Sequence, residues 1–299
     1  MTDLNHIHPT FRDKVGLSAE LRIEFLEDAR WIGYPAANKA IQTMAEYMNR
    51  PSQSRNVGLL LTGKSNNGKT TIINRFKELY GEKYTDQDEE PVVPIIYCEA
   101  PSTPDEKGLY ASILDQLWSP VKVTAPLIKL RYQTIHLMRL CQVKILIIDE
   151  IQSMLSGSAI KRQQVMNALK SLSNELKIPI VGVGIKSAFK IIQIDKQHAS
   201  RFDIMRLPDW EVNVVFQRLL IDFEGTLPLK LKSNLKRPDK ARLIHAFSNG
   251  NIGDLRRLLV ECAKMAIVSG KERIDMEIIK SFKYRKISEI QKSIEVPLQ

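Results

Sequence analysis

One short stretch constrains this chain more than any other. An apolar run at residues 57–61 leads into Gly63, Lys64, Ser65, Asn66, Asn67, Gly68, Lys69, Thr70 and Thr71, and Ile72, Ile73 and Phe76 follow at helical spacing. Strand, glycine loop and helix form the context in which G-x-x-x-x-G-K-[ST] becomes a phosphate cradle. Gly63 and Gly68 let the backbone turn so that successive N–H groups face phosphate oxygens. The helix that follows sets its positive N-terminal end against the anion. Lys69 suits the β- and γ-phosphates, and the Thr70 hydroxyl suits Mg²⁺. ATP with Mg²⁺ is the ligand this chemistry implies.

Residues 145–150 supply a second half. Ile145, Leu146, Ile147 and Ile148 run straight into Asp149 and Glu150. Four apolar residues without alternation predict a strand buried on both faces, as in a parallel sheet. Its acids then fall at the carboxyl edge, where α/β folds bind ligands. Asp149 is the expected metal residue, and Glu150 the group that accepts a proton from, or orients, an attacking water.

Around these halves the chain alternates strands and helices. Strands are expected at 92–99, broken by Pro94, and at 144–149 and 178–184. Helices are expected at 36–48, 107–118, 127–141 and 161–176. This order predicts a doubly wound α/β sheet flanked by helices. Beyond Trp210 only helical patterns remain, over 211–223, 238–247, 254–268 and 275–285, which predicts a small all-helical subdomain. The expected layout is an N-terminal arm and first helix at 1–30, an ATPase domain at 31–209, a helical lid at 210–285 and a basic tail at 286–299. Residues 1–17 read as a poorly structured arm.

Charge is uneven along the 299 residues. Residues 225–299 hold 16 Lys and Arg against 8 Asp and Glu, whereas residues 1–224 hold 28 against 26. The basic quarter fits a polyanionic partner or a solvated basic face equally well. The three cysteines, Cys98, Cys141 and Cys262, have no metal spacing, and so sparse a set fits a reducing cytoplasm. No apolar run is long enough for a membrane span, and the first residues hold no apolar signal core.

The phosphate loop, the strand ending in Asp149 and Glu150, and the later helical lid resemble AAA+ ATPases. A closer resemblance runs through residues 148–158, 167–170, 174–184, 199–202 and 207–210. It is to the TniB/TnsC family of ATP-dependent target-selection regulators of DNA transposition, and it covers roughly residues 25–260. The resemblance implies an AAA+ P-loop NTPase fold. It also implies that Arg201 is an arginine finger acting on a neighbouring subunit's ATP. It makes Arg256, or the adjacent Arg257, a lid residue reaching the phosphates. Ile32 and Tyr34 become walls of an adenine pocket or, equally, core residues. A homo-oligomer is implied, as a ring or helical filament on double-stranded DNA, with a transposase and a target-selection protein of the same transposon as partners, in a bacterial cytoplasm. Candidate DNA contacts are residues 101–107 with Lys107, or the tail with Lys280, Lys283, Arg285, Lys286 and Lys292.

One departure stands out. Where the family places a small polar residue after its third core strand, this chain has Ile185, followed by Lys186 and Ser187. An isoleucine orients no water, and Lys186 or Ser187 is the candidate substitute, so ATP binding with slow unassisted hydrolysis is expected. A helicase-loader-like ATPase and a nucleotide-gated DNA-binding scaffold with negligible turnover are the alternatives.

Overall fold

The computed structural model describes residues 4–28, 30–51, 57–122, 124–193 and 201–282. Its contacts divide the chain into two compact units, Gly33–Pro208, and Met1–Ile32 with Asp209–Gln299.

In the unit Gly33–Pro208, β1 (Gly58–Thr62), β4 (Ile95–Glu99), β5 (Ile145–Asp149), β6 (Ile180–Gly184) and β7 (Phe202–Arg206) form a five-stranded sheet in the order β4-β5-β6-β1-β7. Every ladder in it is parallel. A small antiparallel pair, β2 (Tyr84–Thr85) with β3 (Pro91–Val92), lies outside it. The expected strand at 92–99 is thus split at Pro94, which lacks the N–H a ladder needs. Strands β1, β5 and β6 are buried along their full length, as their unbroken apolar runs require.

The helices of this unit are α2 (Pro35–Met48), α3 (Lys69–Tyr80), α4 (Glu106–Gln116), α5 (Leu127–Leu140), α6 (Gln152–Leu155), α7 (Ala159–Leu176) and α8 (Lys186–Gln193). One core cluster joins Leu60 of β1, Ile96 of β4, Leu146 and Ile148 of β5, Leu109 and Ile113 of α4, and Leu169 of α7. Asp105 caps α4 by accepting from the N–H groups of Lys107 and Gly108, and Ser158 caps α7. The sequence reading drew no strand at β7 and no helix at α8. Strand β7 is an edge whose middle residues face outward, so it shows neither an apolar run nor alternation. Only Ala188 and Ile192 of α8 are fully buried among its described side chains.

The other unit is helical throughout its described residues. It comprises a 3-10 segment at Pro9–Gly16, α1 (Ala19–Glu27), α9 (Val214–Glu224), α10 (Pro238–Ser248), α11 (Ile252–Val268) and α12 (Met276–Ser281). Helix α11 buries Leu255, Leu258, Leu259, Cys262, Ala263 and Ala266, a stripe at helical spacing. The expected loose N-terminal arm is corrected here. Ile7 and Val15 are buried, the His8 N–H donates to the Gly225 carbonyl at 2.9 Å, and a His6 ring nitrogen lies 3.0 Å from the Leu229 carbonyl.

Buried charges in this unit are paired or hydrogen-bonded, as burial demands. Arg22 makes a two-pronged pair with Glu272 at 2.7 and 2.8 Å. The Glu224 carboxylate accepts from the backbone N–H groups of Ser233, Asn234 and Leu235. The expected last helix, 275–285, ends at Ser281. Tail residues Lys283, Arg285, Lys286 and Lys292 lie outside the described residues, as do Ala199 and Ser200.

Candidate active site

The phosphate-type loop sits where β1 runs out. The Gly63 N–H donates to the Gly184 carbonyl at 3.2 Å, and the Leu207 N–H to the Thr62 carbonyl at 2.7 Å. The Asn67 amide donates to the Pro208 carbonyl at 3.2 Å. The loop is therefore fastened to the end of β6 on one side and to the chain after β7 on the other. Within it Asn66 and Gly68 take left-handed backbone angles, φ 58° and 78°. Gly68 pays no Cβ penalty there, and it is the N-cap of α3. No side chain caps that terminus, so its amide end faces the loop, as an anion site requires.

Lys69 is buried, and its ammonium donates to the Lys64 carbonyl at 2.8 Å. Burial lowers the amine below the ordinary lysine range, against the opposing pull of Glu150 and Asp149. Lys64, Ser65, Asn66, Thr70 and Thr71 are exposed.

Asp149 ends β5 in a dense set of donors. Its Oδ2 accepts from the Thr70 hydroxyl at 3.0 Å and the Tyr97 hydroxyl at 2.9 Å, and its Oδ1 from the Glu150 N–H at 2.8 Å. These bonds compensate a carboxylate that is only 3% exposed. Burial, then the Asp149 charge, pushes the Tyr97 hydroxyl far above its ordinary range, so it stays a donor. Glu150 has φ 51°, a conformation that disfavours a side-chain-bearing residue by about 1–2 kcal/mol and that recurs where sites hold strain. Its carboxylate accepts from the Gln152 amide, and the Gln152 Oε1 accepts from the Ile185 N–H at 3.2 Å.

The structure thus brings together Lys69, Thr70, Asp149 and Glu150 from two chain segments at one sheet edge. It does not bring Arg201 to them. The Arg201 carbonyl accepts from the Gly58 N–H at 2.7 Å, at the start of β1, and the loop follows the other end of that strand. At about 3.3 Å per residue the span from Gly58 to Gly63 is roughly 17 Å, so Arg201 lies at the opposite edge from its own loop. Tyr34 is buried at the start of α2, and burial pushes its hydroxyl up to about 12. Ile32 and Arg256 belong to the helical unit. There the Arg256 guanidinium donates to the carbonyls of Leu26, Glu27 and Asp28, at 3.4, 2.8 and 3.0 Å. Three carbonyls at the end of α1 occupy the group that the resemblance assigns to phosphates, while Arg257 is exposed on the next face of α11.

Sequence reasoning missed Tyr97 and Gln152. A lone hydroxyl within the apolar run 95–98 and an amide two residues past Glu150 were the available signals. Among the described residues no cluster of His, Cys, Asp and Glu forms a separate metal site, and no helix is long and apolar enough to cross a membrane.

A family model described as bacterial TniB protein matches residues 22–212. No curated protein sequence matches the chain. The fold is similar to the Aeropyrum pernix ORC2 protein in its ADPNP–ADP complexes (TM-score 0.61, 17% identity, 90% of this chain and 74% of that one). It is similar to CDC6P from Pyrobaculum aerophilum (TM-score 0.61, 15% identity, 92% and 74%) and to Aeropyrum pernix ORC1 in complex with DNA (TM-score 0.58, 16% identity, 87% and 68%). The parallel sheet flanked by helices is the AAA+ P-loop NTPase fold.

Proposed function

This chain belongs to the bacterial TniB family, and on that premise we propose that it is an ATP-dependent regulator of DNA transposition. It assembles on target duplex DNA in its ATP state, links target selection to transposase recruitment, and comes apart on hydrolysis. The observation that carries the reading is the convergence of Thr70 and Glu150 on Asp149 beside the Lys69 loop. That donor set fits Mg²⁺–ATP: N–H groups and an ammonium for phosphate, a hydroxyl and a carboxylate for a hard cation.

In this reading the loop amides and Lys69 hold the β- and γ-phosphates, and Thr70 and Asp149 hold Mg²⁺. Bound there, Mg²⁺ neutralises charge on the phosphate oxygens. Glu150 orients the attacking water and takes its proton. Arg201, remote from its own loop, serves the γ-phosphate of a neighbouring copy, which makes assembly and hydrolysis one event. DNA contact through backbone phosphates makes binding steeply salt-dependent and weakly sequence-specific. The DNA named with the ORC1 neighbour agrees with this.

A second reading, a nucleotide-gated scaffold with negligible turnover, is favoured by Ile185, whose side chain supplies no polar group at the end of β6.

Electron microscopy of the protein with duplex DNA and a slowly hydrolysed ATP analogue tests the assembly. Rings or filaments that vanish with ADP are expected, and persistent monomers overturn it. ATP turnover of the wild type against Glu150→Gln separates enzyme from scaffold: equal rates with and without DNA remove the enzyme.

A further inference from the structure

Glu150 is tied to the end of β6 by one side chain. The Gln152 amide donates to the Glu150 carboxylate and accepts from the Ile185 N–H at 3.2 Å. The amide cannot be turned around here. A backbone N–H only donates, so the amide oxygen must face Ile185; an ionised carboxylate only accepts, so the NH₂ must face Glu150. Both neighbours select the same orientation.

The backbone is shaped around this bridge. A Cβ on residue 184 would fall 2.5 Å from Gln152 Oε1 and 3.1 Å from Ile151 Cγ2. Gly184 is therefore the residue that lets the amide reach β6. The Gly184 carbonyl also accepts from the Gly63 N–H at 3.2 Å, which joins the same short segment to the first residue of the phosphate-type loop. Loop, strand end, amide and Glu150 form one hydrogen-bonded series.

We propose that Gln152 is a positioning residue for ATP hydrolysis, supplying from α6 the polar link that Ile185 cannot supply from β6. It holds one carboxylate oxygen of Glu150. Because its Oε1 accepts from a backbone N–H, the identity of the side chain at 185 no longer matters to the link. This inference rests on the ATPase reading above.

Three variants test it: Gln152→Met, of similar bulk with neither donor nor acceptor, Gln152→His, which keeps one of each, and Glu150→Gln. On the full chain with duplex DNA, kcat and KM for ATP are measured, together with the dissociation constant of a fluorescent ATP analogue and the thermal midpoint. Gln152→Met is expected to lower kcat about tenfold while nucleotide affinity stays within about twofold and the midpoint is unchanged. Gln152→His is expected to stay within about threefold of wild type. A packing role would move affinity or midpoint instead. If Gln152→Met turns over as fast as wild type or faster, or loses nucleotide binding in step with kcat, the proposal is overturned alone. If wild type is no faster than Glu150→Gln, the ATPase reading falls and takes this proposal with it. Should Gln152→Met not fold, a loss of turnover of about tenfold or more in a folded Gln152→His also overturns it.

Discussion

Tyr97 donates its hydroxyl to Asp149 Oδ2 at 2.9 Å from the neighbouring strand, beside the 3.0 Å bond from Thr70 to the same oxygen. One carboxylate oxygen is thus set by two side chains from opposite sides. In β4 and β5 the register pairs Glu99 with Asp149, so Tyr97 lies one pleat back on the same face. Tyr97→Phe removes the donor and keeps the ring. We expect Mg²⁺-dependent ATP affinity to fall about tenfold or more, with Mg²⁺-free nucleotide binding unchanged, by titration of a fluorescent analogue; a hydrogen bond to a charged group is worth about 1.5–3 kcal/mol, and about 1.4 kcal/mol is tenfold. Equal affinities in Mg²⁺ would leave Tyr97 a packing residue.

Lys69→Ala removes the buried ammonium that faces the loop carbonyls. Ligand at about 100 times its dissociation constant stabilises a protein by about 2.7 kcal/mol. Wild type should therefore gain several degrees in thermal midpoint with Mg²⁺–ATP, and Lys69→Ala should gain none. A shift retained by the variant would place nucleotide elsewhere.

Arg201 sits at the opposite sheet edge from its own loop, so its effect on turnover should cross between copies. Arg201→Ala is expected to bind ATP normally and hydrolyse it at least about 100-fold more slowly. Mixing it with Glu150→Gln, itself inactive, should restore part of the activity, because some sites then pair an intact Glu150 with an intact Arg201. A mixture as inactive as its components would remove the role in trans.

The Arg22–Glu272 pair predicts an acid-sensitive helical unit. Burial pushes the Glu272 carboxyl up, but the Arg22 hydrogen bond, the Lys230 N–H and their charges together hold it below its usual 4.5. A depressed carboxyl stabilises above the unfolded value and loses that contribution as pH falls through the folded one, so the loss belongs below about pH 4.5. Arg22→Ala leaves the half-buried Glu272 carboxylate with Lys230 alone and should cost about 1.5–3 kcal/mol in urea unfolding at pH 7. The gap to wild type should narrow below pH 4.5. A gap independent of pH would refute the pairing argument.

Much of the site was legible because its residues are neighbours in sequence. Gly63 to Thr70 is one continuous loop and helix start, and Asp149 and Glu150 end a single apolar run. The β1, β5 and β6 strands announced themselves by continuous burial. Edge strand β7 and helix α8 did not, since a half-exposed element leaves no clear period. Tyr97 and Gln152 were illegible for another reason: each acts through a partner fixed by strand register or by a turn, and neither spacing carries a motif.

The chain's local chemistry was enough to specify a phosphate-type loop, a carboxylate pair and a parallel sheet between helices, because turn angles, burial periods and charge are properties of short segments. Folding alone decided which groups meet. Strand order set Thr70 and Tyr97 on one oxygen of Asp149 and put Arg201 at the far edge. Packing within the helical unit gave Arg256 three carbonyls of α1, and a missing Cβ at Gly184 let Gln152 join Glu150 to β6. Hydrogen bonds act over about 3 Å, and only tertiary structure brings groups so far apart in the chain within that distance.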